Sequence, residues 1–398
     1  MVEASDYTGL ILVSGADQPG ITTRLMETLA PFSIAILDMD QIVTRGRLIQ
    51  TTLISLNRDH APAIEADLLA FSKNHNLDLA IDFTELPRTS QFSGEDLILR
   101  IVSPKMAPAA LATCASVLSD IGGNILEIRR IADRPLVAFE LRVSIVPASL
   151  ALEELQRTIT SQIAPLGATA FITSSHHHPG LGQIVMLDVD STLIDQEVID
   201  QIAGKFGVGD QVSAITESAM RGELDFETSL RERVALLAGA PATILDEVKS
   251  EITLTAGVRT LIETIHARGG KVGVVSGGFS QVINPLSSEL GLDFARANTL
   301  EIINGKITGQ LLGPIITRAG KAEALKEFAE RSSVPISAAI AIGDGANDLD
   351  MLSIAGLGIA FNAKPAVQEA TDIAINFRDL TSVLYLLGIS QNEVSSSL

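Results

Sequence analysis

The sequence predicts an α/β chain in which two βαββαβ units precede a doubly wound parallel sheet with a helical cap. Three observations lead there. The runs Leu10-Ile11-Leu12-Val13 and Leu97-Ile98-Leu99-Arg100 each open a segment with the same succession of strand and helix signals. Beyond residue 182 the pattern changes to short, β-rich apolar runs that end in polar or glycine-rich turns and alternate with helices. Between the first two of those runs, residues 196–251 read as one helical stretch. A crossover does not need so much chain, so this stretch is expected to cap the sheet edge.

In the first unit (residues 1–86) the strand at 10–13 leads to a helix over 21–29. Strands over 34–43 and 48–56, a helix over 62–72 and a strand over 77–83 follow. The second unit (94–173) repeats the order, with helices over 107–118 and 150–163 and strands over 124–131, 136–145 and 168–173. Residues 174–182 contain Ser, Pro and Gly and read as a linker. The run His176-His177-His178 invites a metal, but adjacent residues on a flexible backbone form no preorganised site, and a solvated linker is the expectation. Residues 183–398 form the third domain. Its strands are expected over 183–187, 271–275, 338–342, 356–360 and 372–375, with helices over 258–268, 280–289, 321–331 and 347–354.

Composition narrows the function. The chain has 398 residues, 46% apolar and 19% charged, enough material for two or three cores and unlike a disordered chain. Its formal charge is -19, with 13 basic and 20 acidic residues up to position 175, so -7 belongs to the first part and -12 to the remainder. Neither part is basic, which speaks against nucleic acid and anionic membranes as partners. The lone cysteine, Cys114, allows no internal disulfide and no cysteine-based zinc site. It falls on the apolar side of a predicted helix and reads as a buried thiol. With no signal-like N-terminus and no apolar run near the ~20 residues that span a bilayer, a soluble cytoplasmic protein is expected.

In doubly wound sheets ligands sit beyond the carboxyl ends of the strands. The polar residues there are Asp188-Val189-Asp190-Ser191-Thr192, then Ser276-Gly277-Gly278, then Gly343-Asp344-Gly345-Ala346-Asn347-Asp348. Asp188, Asp190, Asp344 and Asp348 are expected to converge, and converging carboxylates require a cation. Hard oxygen ligands with water suit Mg²⁺. Ser276 and the Gly277 amide form an anion pocket, to which Lys321 adds a fixed charge. A nucleophilic carboxylate, a second carboxylate two residues on, a magnesium ion and phosphate donors suit phosphoryl transfer through an aspartyl-phosphate. Each piece alone has a plainer reading: a turn or N-cap for the Asp pair, a turn for Ser-Gly-Gly, a surface lysine for Lys321. Their order along the chain, each at a strand end, favours the joint reading.

These motifs resemble the four signatures of the haloacid dehalogenase superfamily, over about residues 183–387. Glu197 and the stretch Asp225-Phe226-Glu227-Thr228-Ser229-Leu230-Arg231-Glu232-Arg233-Val234 are similar to the phosphoserine phosphatases within it. The resemblance implies that Asp188 is the nucleophile and that Asp190 acts as general acid and then general base. It implies Mg²⁺ held by Asp188, the Asp190 backbone carbonyl and Asp344, with Asp348 in support. Ser276, Gly277 and Lys321 would receive the phosphate, Glu197 the substrate ammonium and Arg233 its carboxylate, with Asn347 also contacting the substrate. Helical spacing puts Arg233 among Phe226, Leu230 and Leu237 on an apolar face, where it needs a counter-charge. That is either the substrate or an internal salt bridge. Glu197 has no such support and faces away from Ile199, Ala203 and Phe206. Met220 and Phe226 either wall the pocket or belong to the cap core.

The two N-terminal units resemble ACT domains, a ferredoxin-like fold. Asp17-Gln18-Pro19-Gly20 is similar to the ligand loop of that family. The second unit departs from it with Ser103-Pro104-Lys105-Met106 but carries Gly122-Gly123-Asn124 before its second strand. The resemblance implies amino-acid binding, and the effector expected is L-serine, held where the first loop faces a Gly122–Asn124 turn of another repeat. The edges of the open sheets lead to the expectation of a homodimer through these units. Dimerisation alone is the simpler alternative. The leading expectation is a Mg²⁺-dependent hydrolysis of phosphoserine, the last step of serine biosynthesis. The alternatives are a phosphatase for another small phosphomonoester and an amino-acid sensor with a vestigial phosphatase domain.

Overall fold

The structure, a computed structural model, describes residues 7–85, 95–145, 151–174, 183–220 and 223–397. The histidine run 176–178 lies outside them, as does the Met220 side chain. The chain divides into two compact units, Met1–Gln91 and Phe92–Leu398.

The first unit runs β1 (Tyr7–Ala16), α1 (Ile21–Leu29), β2 (Ala35–Thr44), β3 (Arg47–Ser55), α2 (Ala61–His75), β4 (Asp78–Glu85), and its antiparallel sheet has the order β2-β3-β1-β4. Alternation along the strands gives the helices one face: Ile11, Val13, Leu48 and Ile54 pack with Leu25, Leu29, Ile64 and Leu68. The opposite face exposes Leu10, Leu12 and Ile49. Cross-strand pairing places Asp38, Asp40, Asp78 and Asp82 on that same face.

The second unit begins with the same topology: β5 (Glu95–Ser103), α3 (Pro108–Asp120), β6 (Asn124–Ala132), β7 (Val137–Ile145), α4 (Leu152–Ile163) and β8 (Thr169–Ser174), in the order β6-β7-β5-β8. The repeat is real, but matching Leu10 to Leu97 is one residue out of phase. Leu10 is 46% exposed on the open face, whereas Leu97 is 2% exposed under the helices, and a slip of one residue exchanges the faces of a strand. Cys114 is buried as expected. The outer face of this sheet is covered: Val102, Ala138 and Phe171 share a core with Tyr385, Leu386 and Ile389 near the C-terminus. Arg100 bridges the two layers, pairing with Glu140 at 2.8 Å and donating to the Leu386 carbonyl at 3.5 Å.

The remaining chain continues β9 (Ile184–Leu187), α5 (Val198–Phe206), α6 (Gly209–Met220), α7 (Phe226–Ala235), α8 (Ile244–Ser250), α9 (Val258–Ala267), β10 (Lys271–Phe279), α10 (Ser280–Leu290), β11 (Phe294–Ile303) and β12 (Lys306–Leu312). It ends with α11 (Arg318–Ser332), β13 (Ala339–Gly343), α12 (Leu349–Ile354), β14 (Leu357–Phe361), α13 (Pro365–Gln368), β15 (Ile373–Ile375), α14 (Thr381–Leu386) and α15 (Gln391–Ser397). Seven strands form one sheet in the order β12-β11-β10-β9-β13-β14-β15, all parallel except the β11–β12 hairpin. The hairpin departs from the all-parallel expectation. Its turn is Asn304-Gly305, both with positive φ, the residue pair that a two-residue hairpin turn favours.

Helices α5–α8 form the cap. Its two connections are zipped together by the Ile194–Leu254 bridge, the Asp195 N–H on the Thr253 carbonyl at 2.9 Å, and the Gln196 amide group bonded to Glu251 and Thr253. No helix among the described residues is long and apolar enough to cross a membrane.

Candidate active site

β9 is central, with β10 on one side and β13 on the other, so the polar turns after three adjacent strands meet at one sheet edge. The Asp188 N–H extends the pairing by donating to the Ile342 carbonyl at 2.9 Å, which fixes Asp188 at the end of β9. Asp188, Asp344 and Asp348 each offer a carboxylate oxygen within 4.8 Å of the others. The fourth expected carboxylate does not join them. Asp190 turns aside, accepting from the Val198 N–H at 2.7 Å and the Ser276 hydroxyl at 2.9 Å. One bond reaches the first residue of the cap and the other reaches β10.

Lys321 is wholly buried and bridges Asp188 Oδ1 at 2.8 Å and Asp348 Oδ1 at 2.6 Å. The plain surface-lysine alternative is thereby removed. Asp188 Oδ1 also accepts the Val189 N–H at 2.7 Å, so both bonds to this carboxylate fall on one oxygen. Burial first, and then Asp348, push the Asp188 carboxyl well above the usual carboxylate range. The same two causes raise Asp344 to about 6. Burial also raises Asp190, against the bonds from Val198 and Ser276. The glycine at 343 is a steric requirement, because a Cβ there would lie 2.4 Å from the Asp348 carboxyl carbon.

A cavity of about 690 Å³ opens over this edge beneath the cap. Asp188, Asp190, Gly277, Asp344 and Asn347 line its floor, while Phe226 and Arg233 of α7 and Glu197 line its cap side. Ser276, Lys321 and Asp348 are wholly buried, with Ser276 bonded to Asp190 and Lys321 to Asp188 and Asp348. Phe226 is therefore a pocket residue that also packs on the core. Asp225 starts α7 as its N-cap, accepting from the Thr228 N–H at 2.9 Å, and this sets the phase of the helix. Leu230 and Leu237 point into the core, Arg231 pairs outside with Glu227, and Arg233 turns toward the cavity.

Among the described residues no carboxylate lies within 4.0 Å of Arg233, so the internal salt bridge is not made. Its Nε donates to the Ser229 carbonyl at 3.3 Å. Burial lowers its pKa, and the more distant Asp200, Glu197 and Asp190 oppose that shift.

Glu197 corrects the helical-face argument. It is the residue before α5, with extended backbone, so helical phase does not govern its direction. Ser191 holds its carboxylate at 2.9 Å. Ser191 itself has φ +57°, an uncommon conformation for a non-glycine residue, and is secured by its N–H on the Gln196 carbonyl. Desolvation, followed by the nearby Asp190, raises the Glu197 carboxyl to about 7.

Asn298 carries no signal in the sequence. Buried on β11, it donates to the Gly277 carbonyl at 2.8 Å and accepts from the Ile316 N–H at 2.8 Å, fixing the peptide that faces the cavity. In the N-terminal units, Asp17, Gln18, Pro19 and Gly20 are exposed before α1, and Gly20 has φ +88°. Gly122, Gly123 and Asn124 form the turn from α3 to β6, where the Gly123 N–H closes the helix on the Leu118 carbonyl at 2.8 Å.

Comparison with known proteins agrees with this architecture. Residues 185–353 match the haloacid dehalogenase-like hydrolase family, and residues 8–84 and 99–170 match ACT domains. A phosphoserine phosphatase of Streptomyces coelicolor is 44% identical over 394 residues, covering 98% of this chain and 94% of that protein. One from Mycobacterium tuberculosis is 42% identical, covering 98% and 95%. Among solved structures, a haloacid dehalogenase family hydrolase from Salmonella enterica serovar Typhi superposes with a TM-score of 0.65 at 31% identity, over 73% of this chain and 98% of that one.

Proposed function

This chain belongs to the phosphoserine phosphatases, haloacid dehalogenase-like hydrolases here preceded by two ACT domains, and from that membership we propose that it converts O-phospho-L-serine to L-serine and phosphate through an aspartyl-phosphate on Asp188. One observation carries the reading. One cavity has at its floor a carboxylate cluster suited to a cation that would meet the phosphate. On its cap side it has a guanidinium with no ion-pair partner among the described residues and a carboxylate, suited to the carboxylate and ammonium of that substrate.

The donor set fits Mg²⁺: three hard carboxylate oxygens stand together, and the like charge that Asp348 brings against Asp188 and Asp344 is of the kind a divalent cation offsets. Asp188, the Asp190 backbone carbonyl and Asp344 would hold the ion, with Asp348 alongside, and when bound it neutralises the phosphate charge.

Because Oδ1 of Asp188 is taken by Val189 and Lys321, Oδ2 is the oxygen left to attack phosphorus. As the new P–O bond forms, the bond to the serine oxygen breaks, and that oxygen takes the proton held by Asp190. Ser276 passes its hydroxyl donor from Asp190 to a phosphate oxygen, joined by the Gly277 amide, Lys321 and Asn347. In the second step the Asp190 carboxylate takes a proton from water, whose oxygen attacks phosphorus. The P–O bond to Asp188 then breaks, releasing phosphate and restoring the carboxylate.

Phosphate release from a panel of phosphomonoesters, with and without Mg²⁺, tests this. Preference for phosphoserine and dependence on the ion are expected. Equal turnover of esters lacking the carboxylate and ammonium would overturn the substrate assignment.

We further propose a homodimer through the ACT domains, with L-serine bound between the Asp17–Gly20 loop and the Gly122–Asn124 turn of another repeat. Two edge strands support the pairing: β2, exposed throughout and bearing Asp38 and Asp40, and β6, bearing exposed Arg129 and Arg130. Calorimetry with L-serine on the full chain and on an Asp17→Ala/Asn124→Ala variant decides it. Identical heats in both reject the effector site.

A further inference from the structure

Five buried side-chain polar atoms lack a hydrogen-bond partner among the described residues, and one of them, Ser229 Oγ, belongs to a residue that lines the cavity. Ser229 is 1% exposed. A buried hydroxyl without a partner is costly, and a helical serine ordinarily avoids the cost by donating to the carbonyl one turn back. Here the Ser229 N–H bonds to the Asp225 carbonyl at 3.0 Å, but the hydroxyl makes no such back-bond and has no partner among the described residues.

The position is informative. Ser229 precedes Arg233 by one turn on α7, and such residues share a helix face. Long helical side chains lie back toward the N-terminus. Arg233 does so, its Nε reaching the Ser229 carbonyl at 3.3 Å. That bond commits one donor of the guanidinium and leaves its terminal nitrogens for a ligand beside the idle hydroxyl.

We propose that Ser229 is a specificity-determining residue that donates its hydroxyl to the carboxylate of the bound substrate, next to Arg233. The inference rests on the phosphoserine reading above and extends it. Of the three charged groups of that substrate, the ammonium has no lone pair to accept the proton, and it is met by Glu197. The phosphate belongs to the opposite end of the cavity, at Asp188 and Gly277. The carboxylate alone brings unfilled acceptor sites to α7. Its two oxygens offer about four lone-pair directions, more than the remaining arms of one guanidinium fill.

The test compares phosphoserine with phosphoethanolamine, which keeps the phosphate and ammonium and lacks the carboxylate. In Ser229→Ala the ratio of the KM for phosphoserine to the KM for phosphoethanolamine is expected to rise roughly tenfold, the size of one hydrogen bond to a charged group. In an Arg233→Ala background the same change should shrink by several-fold, because the two donors share one acceptor. The melting temperature of unliganded Ser229→Ala should equal or exceed that of the parent, since an unsatisfied hydroxyl is removed.

An unchanged KM ratio, or a lower melting temperature showing a partner in the free enzyme, overturns the role of Ser229. If the parent enzyme itself does not prefer phosphoserine to phosphoethanolamine, the substrate reading fails and this proposal fails with it.

Discussion

Lys321 Nζ lies 2.6 Å from Asp348 Oδ1, and both side chains are wholly removed from solvent. Removing one member of a buried pair leaves an uncompensated charge, a loss of about 3–5 kcal/mol. Lys321→Met should therefore unfold at clearly lower urea than the parent when no divalent ion is present. Added Mg²⁺ should restore more stability to the variant than to the parent, because the ion replaces a lost cation among Asp188, Asp344 and Asp348. Equal increments in urea titrations would show that the lysine does not share their charge.

Asp188 and Asp190 are predicted to fail differently. By the roles proposed above, Asp188→Asn removes the attacking oxygen and should abolish both phosphate release and covalent labelling of the protein by phosphoserine. Asp190→Asn removes a proton donor and should slow turnover by about 10²–10⁴-fold. With phosphoserine, that variant should still incorporate phosphate slowly. With an ester whose leaving group needs no proton, labelling should approach the parent rate. Rapid-quench measurement of protein-bound phosphate separates the two.

Glu197 gives a pH signature. Desolvation and the nearby Asp190 raise its carboxyl from 4.5 to about 7 in the folded chain. Between those values the native state keeps a proton that the unfolded chain has released, so this group's contribution to stability is present at low pH and declines as pH rises through that window. Relative to Glu197→Gln, the metal-free parent should lose melting temperature from pH 5 to pH 8. A constant difference would show that Glu197 does not titrate there. The KM for phosphoserine should rise as pH falls below 7, when the carboxyl no longer meets the ammonium, and the KM for p-nitrophenyl phosphate should not follow it.

Gly388 adopts φ +84°, and a Cβ there would stand 2.6 Å from the Arg100 guanidinium. Arg100 cannot easily yield, because Glu140 holds it at 2.8 Å. Gly388→Ala should cost about 1–3 kcal/mol through backbone strain and this displacement. The loss should appear as separation of the second ACT domain from the phosphatase domain in denaturant titrations followed by hydrogen exchange. A single cooperative transition as in the parent would show that this contact does not couple them.

Much of the catalytic floor was legible because its residues follow strands directly. Short apolar runs locate Asp188, Ser276 and Asp344, and the strand-end rule puts them on one edge. The cap side was less legible. A helical-wheel position does not describe Glu197, which stands one residue before the helix starts. The expectation that the Asp190 carboxylate joins the other three fails because alternation along the chain carries nothing about the bonds from Val198 and Ser276. The β11–β12 hairpin had a readable signal in Asn304-Gly305. Asn298 and Ser229 had none, because a buried polar residue is identified by its partners or by their absence.

By itself the sequence determined the strands other than β11 and β12, their order of chemistry and the repeat, since local periodicity and turn residues are properties of neighbours along the chain. Only the tertiary structure decided which oxygen of Asp188 is held by Val189 and Lys321, that Lys321 is shared between two acids, and that Arg233 makes no ion pair within 4.0 Å among the described residues. These depend on distances of a few ångströms between segments far apart in sequence, and electrostatic and hydrogen-bond energies change steeply over that range.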